Sequence, residues 1–134
     1  MLRIEPGVSA ESRILVTHEV SVDFMGNEDA RILGTPYLIG YLELTARSAV
    51  KPLLDEGDDT VGTHVDVRHL AATPLGMHVR FHAVVTEVEG RRVRFRLEAF
   101  DENEKVAEGI HERFVVTVDR FVERLKAKRH APVA

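Results

Sequence analysis

The sequence predicts an α+β fold, one long apolar helix covered by an antiparallel sheet. Two changes of pattern lead to it. Residues 36–54 carry Ile39, Leu42, Ala46, Val50 and Leu53 at helical spacing. From Gly62 onward the apolar residues instead alternate, and short turns interrupt them. A third observation joins the two: a helix this apolar has to be covered, and the alternating segments supply one oily face to cover it.

Taken in order, residues 12–24 read as a first strand, because Ile14, Val16, Val20 and Val22 are spaced by multiples of two. Residues 25–34 contain Gly26, Asn27, Glu28, Asp29 and Gly34 and read as a loop or short lid. Thr35 then suits a helix N-cap and Pro36 the first helical position, where a missing N–H costs nothing. Residues 54–60, with Gly57 and three aspartates, end the helix. In the next strand Thr63, Val65, Val67 and His69 share one face, and His64, Asp66 and Arg68 the other. Pro74 and Gly76 precede a strand with Val79, Phe81, Ala83 and Val85 on one side. A tight hairpin at residues 89–91 leads to Val93, Phe95, Leu97 and Ala99, alternating with Arg92, Arg94, Arg96 and Glu98. After a turn at residues 101–104, a last strand covers 105–118 and a short amphipathic helix 119–128. Strand, long helix and four antiparallel strands make the hot-dog arrangement. Gly40 costs about 1 kcal/mol in mid-helix relative to Ala, and close packing of the sheet backbone is the reading preferred over a ligand.

The 134 residues suit a single domain, 1–134, able to bury a core without disulfides or structural metal. With no cysteine there is no thiolate nucleophile or cysteine-based zinc site, and a reducing cytoplasm is expected. No apolar run reaches the roughly 20 residues that cross a bilayer, so no membrane partner is expected. A net charge of -4 argues against general nucleic-acid binding, and the basic residues 124–129 read as a solvated helix tail.

Glu43 falls inside the apolar stripe of the long helix. Burying an unpaired carboxylate costs several kcal/mol by order of magnitude, so such a group is normally paired, protonated or used in chemistry. Arg113 or a histidine from the sheet is the obvious structural partner. His69 shares a face with Val65 and Val67 and should point toward the helix. Thr35, at the helix start, lies where free N–H groups stabilise developing negative charge. His64, His78, His82, His111 and His130 are read as surface residues, and no histidine–carboxylate spacing argues for a metal.

The segments Gly34-Thr35-Pro36, Leu42-Glu43, Val61-Gly62-Thr63-His64-Val65 and Arg68-His69-Leu70-Ala71-Ala72-Thr73-Pro74-Leu75-Gly76 resemble the fluoroacetyl-CoA thioesterase-like branch of the hot-dog superfamily. The resemblance covers roughly residues 10 to 118. It implies Thr35, Glu43 and His69 as the catalytic constellation, Gly62 as the glycine approached by the acyl carbonyl and its water, and Arg113 as an arginine near the substrate. It also implies a homodimer with sites at the interface, and exposed sheet edges agree with association.

Hydrolysis of a thioester needs a nucleophile, a proton acceptor and donors for the oxyanion, and no cofactor: coenzyme A is part of the substrate. Glu43 serves as general base toward water, or attacks directly to give an anhydride. His69 orients Glu43 or protonates the thiolate. Thr35 positions water, donates to the carbonyl, or is the nucleophile of a Thr-His-Glu triad. The family's lid carries aromatic side chains, whereas residues 25–33 have none and Phe24 lies at the upstream edge. A short or medium acyl-CoA, bounded by Ile32, Leu33, Tyr37 and a partner subunit, is therefore expected in place of fluoroacetyl-CoA. Arg91, Arg92 and the C-terminal basic residues are candidates for the coenzyme's phosphates. A non-catalytic acyl-CoA or apolar-ligand binding protein would keep the same fold. An enoyl-CoA hydratase is disfavoured, because Glu43 and His69 stand 26 positions apart.

Overall fold

The computed structural model describes residues 3–133. Strand β1 (Ser9–Leu15) is followed by a 3-10 turn at His18–Val20, a short strand β2 (Ser21–Val22), a second 3-10 turn at Glu28–Ala30 and a short strand β3 (Ile32–Leu33). Helix α1 (Thr35–Val50) runs into a 3-10 turn at Lys51–Leu53. Four long strands follow, β4 (Asp58–His69), β5 (His78–Glu89), β6 (Arg92–Phe100) and β7 (Lys105–Thr117), and helix α2 (Val118–His130) closes the chain. The main sheet is antiparallel, in the order β1-β5-β6-β7-β4.

Helix α1 lies across the inner face of this sheet, against β1, β5, β6 and β4. Its buried residues are Leu38, Leu42, Thr45, Ala46, Ala49 and Val50. They meet Val79, Phe81, Val85, Phe95 and Leu97 in one core. Removing these side chains from water, at about 1.5–3 kcal/mol each, holds the helix in the curl of the sheet. The hairpin between β5 and β6 turns at Gly90, whose φ of 60° is a conformation that glycine adopts without strain. Strand β4 forms one edge of the sheet, and its middle, Thr63 to Asp66, is exposed.

Several expectations are corrected. The strand placed at 12–24 is two strands separated by a 3-10 turn, because the spacing of Val16, Val20 and Val22 spans a change of direction. The loop at 25–34 contains a 3-10 turn and a strand paired with β2. Gly34, not Thr35, caps α1: Leu38 N–H donates to the Gly34 carbonyl at 3.0 Å, and Thr35 is the first helical residue. The apolar stripe of α1 is centred on Leu38, Leu42 and Ala46, so Glu43 lies at its flank with 39% of its side chain exposed. A Cβ on Gly40 would meet nothing within 4 Å, so the sheet backbone does not press on it.

Candidate active site

Two groups of polar side chains gather on the open side of α1. The first lies at its N-terminus. Because Gly34 supplies the cap, the Thr35 hydroxyl is free of the helix and meets His69 Nδ1 at 2.8 Å. His69 ends β4, where Leu70 N–H donates to the Val106 carbonyl at 2.7 Å and anchors the chain beyond the ring. Burial pushes the His69 pKa below its ordinary 6.5, against a smaller opposing pull from the Ala71 backbone. Nε2 of the ring is buried without a hydrogen bond of ordinary geometry. The pair borders a hollow of about 490 Å³ whose apolar wall includes Val22, Ile32, Leu33 and Leu70.

The second group surrounds Glu43. Arg113 Nη1 stands 3.5 Å from Glu43 Oε2. The rest of that guanidinium is tied to Thr60: Nε donates to the hydroxyl at 2.7 Å and Nη2 to the carbonyl at 2.9 Å. Burial lowers the Arg113 pKa below its ordinary value, and the Glu43 carboxylate opposes that effect. Gly62 lies directly under the carboxylate, where an added Cβ would be 2.7 Å from Glu43 Oε2. A register shift between Gly62 and His64 bends β4 at this point. One turn further along α1, Arg47 grips Asp59 through Nε at 2.9 Å and Nη2 at 2.6 Å. Asp59 is held at about 2 by that contact, and the pair fixes α1 to the start of β4.

The expected residues are thus brought together in two sets. Thr35, His69, Ile32 and Leu33 line one hollow, while Tyr37, Gly40, Glu43 and Arg113 line another of about 440 Å³. Thr35 and Glu43 lie eight residues apart on one helix, about 12 Å at the α-helical rise. Leu33 is fully buried, so it supports the hollow from the core. Phe24, 89% exposed, stands at the rim of the hollow that Thr35 and His69 line. Arg92 is engaged by Glu89 and Glu112, and Arg91 donates to the Val115 carbonyl.

One histidine departs from the surface reading, while His78 stays at the surface. His78 meets Glu102 at 3.2 Å. His111 is buried, with Nδ1 2.7 Å from the His64 carbonyl and Nε2 3.2 Å from Arg113 Nη1. The signal for His111 was its position: it stands two residues before Arg113 on one strand and therefore shares its face.

One long helix held in a curled antiparallel sheet is the hot-dog arrangement. Residues 16–119 match the FlK family, fluoroacetyl-CoA-specific thioesterase, and the chain belongs to that family. It is 34% identical over 104 residues to the fluoroacetyl-CoA thioesterase of Streptantibioticus cattleyicolor, covering 78% of this chain and 75% of that protein. The crystal structure of a Thermus thermophilus hypothetical protein, a thioesterase superfamily member, matches with a TM-score of 0.84 and 30% identity over 98% of this chain and 100% of the other. A mutant of FlK in complex with fluoroacetate and CoA matches with a TM-score of 0.80 and 29% identity, over 88% and 99% of the two chains. Hydrolysis of acyl-CoA thioesters is the activity of this family. Among the described residues no helix is long and apolar enough to cross a membrane.

Proposed function

We propose that the protein is a cytoplasmic acyl-CoA thioesterase working as a homodimer, with each catalytic centre built from both chains. One chain supplies Thr35 and His69, and the other supplies Glu43, Gly62 and Arg113. The placement of Glu43 carries this reading, since it lines a different hollow from the Thr35 and His69 of its own chain. The edge strand β4 offers the means of association, because its mid-section is exposed and Val65 is 41% exposed. Twofold antiparallel pairing centred on Val65 or Asp66 sets position 69 of one chain opposite position 61 or 63 of the other. Those positions flank Gly62 and hence Glu43. Gly40 and Tyr37, open in one chain, then face the second copy.

In the reaction Glu43 takes a proton from water as its oxygen attacks the thioester carbonyl, or the carboxylate attacks directly and the anhydride is then hydrolysed. The oxyanion forms near the start of α1, where Thr35 and Tyr37 carry the free amides because Pro36 has none. Collapse breaks the carbon–sulfur bond, and the thiolate leaves as the thiol with the proton that Glu43 took from water, passed on through the His69–Thr35 pair. No cofactor takes part. The aliphatic wall and the exposed Phe24 favour a short or medium, uncharged acyl group over fluoroacetyl. The coenzyme's phosphates fall to the basic residues of α2, since Val118 N–H donates to the Gly57 carbonyl and so ties that helix beside the start of β4. In the twofold pairing this is the end that approaches the partner's His69.

Thiol release from a panel of straight-chain acyl-CoAs of two to ten carbons tests the reading. Wild type should turn over the middle of the panel, and Glu43→Gln should bind the same thioesters with activity reduced by about a thousandfold or more. If wild type binds them and releases no thiol from any, the protein is an acyl-CoA binding module.

A further inference from the structure

His111 stands in the middle of β7, opposite Val65 on β4 and Phe95 on β6, and is 1% exposed. Its ring stacks on Phe95 with centroids 6.0 Å apart. Both nitrogens have assigned roles. Nδ1 faces the His64 carbonyl, which can only accept, so Nδ1 carries the proton. Nε2 faces Arg113 Nη1, which can only donate, so Nε2 is the acceptor and the ring is neutral.

The bulge that presents Gly62 to Glu43 is the same one that aims the His64 carbonyl at this ring. Three of the five Arg113 N–H donors lie on Nε and Nη2, which Thr60 engages. Nη1 has two hydrogens and two neighbours: His111 Nε2 at 3.2 Å and Glu43 Oε2 at 3.5 Å. All three groups converge on one point, since a Cβ on Gly62 would lie 2.7 Å from Glu43 Oε2, 3.2 Å from His111 Cε1 and 3.4 Å from Arg113 Nη1.

We infer that His111 is a positioning residue: its Nδ1-protonated imidazole occupies one N–H of Arg113 Nη1 so that the other holds the Glu43 carboxylate over Gly62. Without the acceptor, a buried guanidinium hydrogen loses its partner, and the nearest replacement is the carboxylate itself. Glu43 is then drawn away from its working position. This inference rests on the assignment of Glu43 to thioester hydrolysis.

Two substitutions separate positioning from packing. In His111→Gln the longer side chain puts an amide oxygen where Nε2 now stands, and so keeps an acceptor for Arg113. In His111→Asn the amide replaces Nδ1, preserving the bond to His64 and removing the acceptor. With the best acyl-CoA of the panel, His111→Asn should lose about ten- to a hundredfold in kcat with KM changed less than about twofold, and His111→Gln should stay within about threefold of wild type. Equal losses in the two variants, or a kcat of His111→Asn near wild type, would overturn the inference. Nitrogen-15 NMR of the wild-type ring gives a second readout, independent of turnover and of how either variant folds. It should find the proton on Nδ1 and an accepting Nε2 at pH 7. A proton on Nε2 overturns the inference even if thioesterase activity is present. If the wild type proves inactive, the function assignment fails, and the NMR result still decides whether the His111–Arg113 arrangement exists.

Discussion

Replacing Gly62 with alanine probes the catalytic geometry with a single methyl group. Gly62 has no positive φ, so the backbone accepts alanine without strain. The new Cβ falls 2.7 Å from Glu43 Oε2, where ordinary contact begins near 3.4 Å. The carboxylate must therefore retreat by about 0.7 Å, and with 39% of its side chain exposed it has room to do so. Its move opens the contact with Arg113, now at 3.5 Å, and draws the base away from the carbonyl it serves. A displacement of that size costs about ten- to a hundredfold in turnover, or about 1.4–2.7 kcal/mol of barrier. The fold gives up on the order of 1 kcal/mol, because the Cβ also comes within 3.2 Å of the buried His111 ring and the loss of glycine's unfolded-state freedom offsets only part of that crowding. Steady-state thiol release, paired with thermal unfolding of the same preparation, reads both quantities. A variant with wild-type kcat refutes the placement of Glu43 in the reaction. One that loses activity only in step with stability refutes the argument from position.

Three further outcomes follow from the same geometry. Gly109→Ala should weaken the fold severely, by about 3 kcal/mol or more in urea unfolding, because its Cβ would lie 2.0 Å from the Asp66 carbonyl oxygen and 2.8 Å from Val67 Cα, and backbone cannot step aside. His69 and His111 both have pKa values below 6.5 in the folded chain, chiefly through burial, so below that pH the unfolded chain takes up protons first. Stability should be full above about pH 6.5 and fall as the pH drops toward the folded values, and a flat melting temperature between pH 7 and 5.5 would contradict the burial of these rings. Asp59→Asn should cost on the order of 1 kcal/mol at neutral pH after solvent screening, and the difference should fade as the pH falls from 3.8 toward the folded value of about 2.

Much of this molecule was legible in its residue periods. The long strands were readable because Phe81, Ala83 and Val85, or Phe95, Leu97 and Ala99, alternate without interruption and face a single core. The N-terminal segment was not, because alternation persists through Val16, Val20 and Val22 although the backbone turns between them. Thr35 looked like a cap because its residue type favours that role. Its neighbour Gly34 took the role through the backbone alone, leaving the hydroxyl to His69. His111 was read as a surface residue because the sequence offered it no convincing partner. Its partners, Arg113 and a carbonyl at a bulge, exist only once β4 and β7 are paired. The separation of Glu43 from Thr35 and His69 follows from helix geometry, but the phase of a helix does not reveal what lies beyond the surface of its own chain.

Subunit mixing tests the shared centre most directly. Glu43→Gln and His69→Ala, each inactive alone, are unfolded together in equal amounts and refolded so that half the dimers are mixed. Every mixed dimer carries one intact centre if Glu43 serves the partner's His69, and the mixture should recover about a quarter of wild-type thiol release. Recovery no greater than the sum of the two variants, in dimers shown to have exchanged, would mean that each centre is built from one chain.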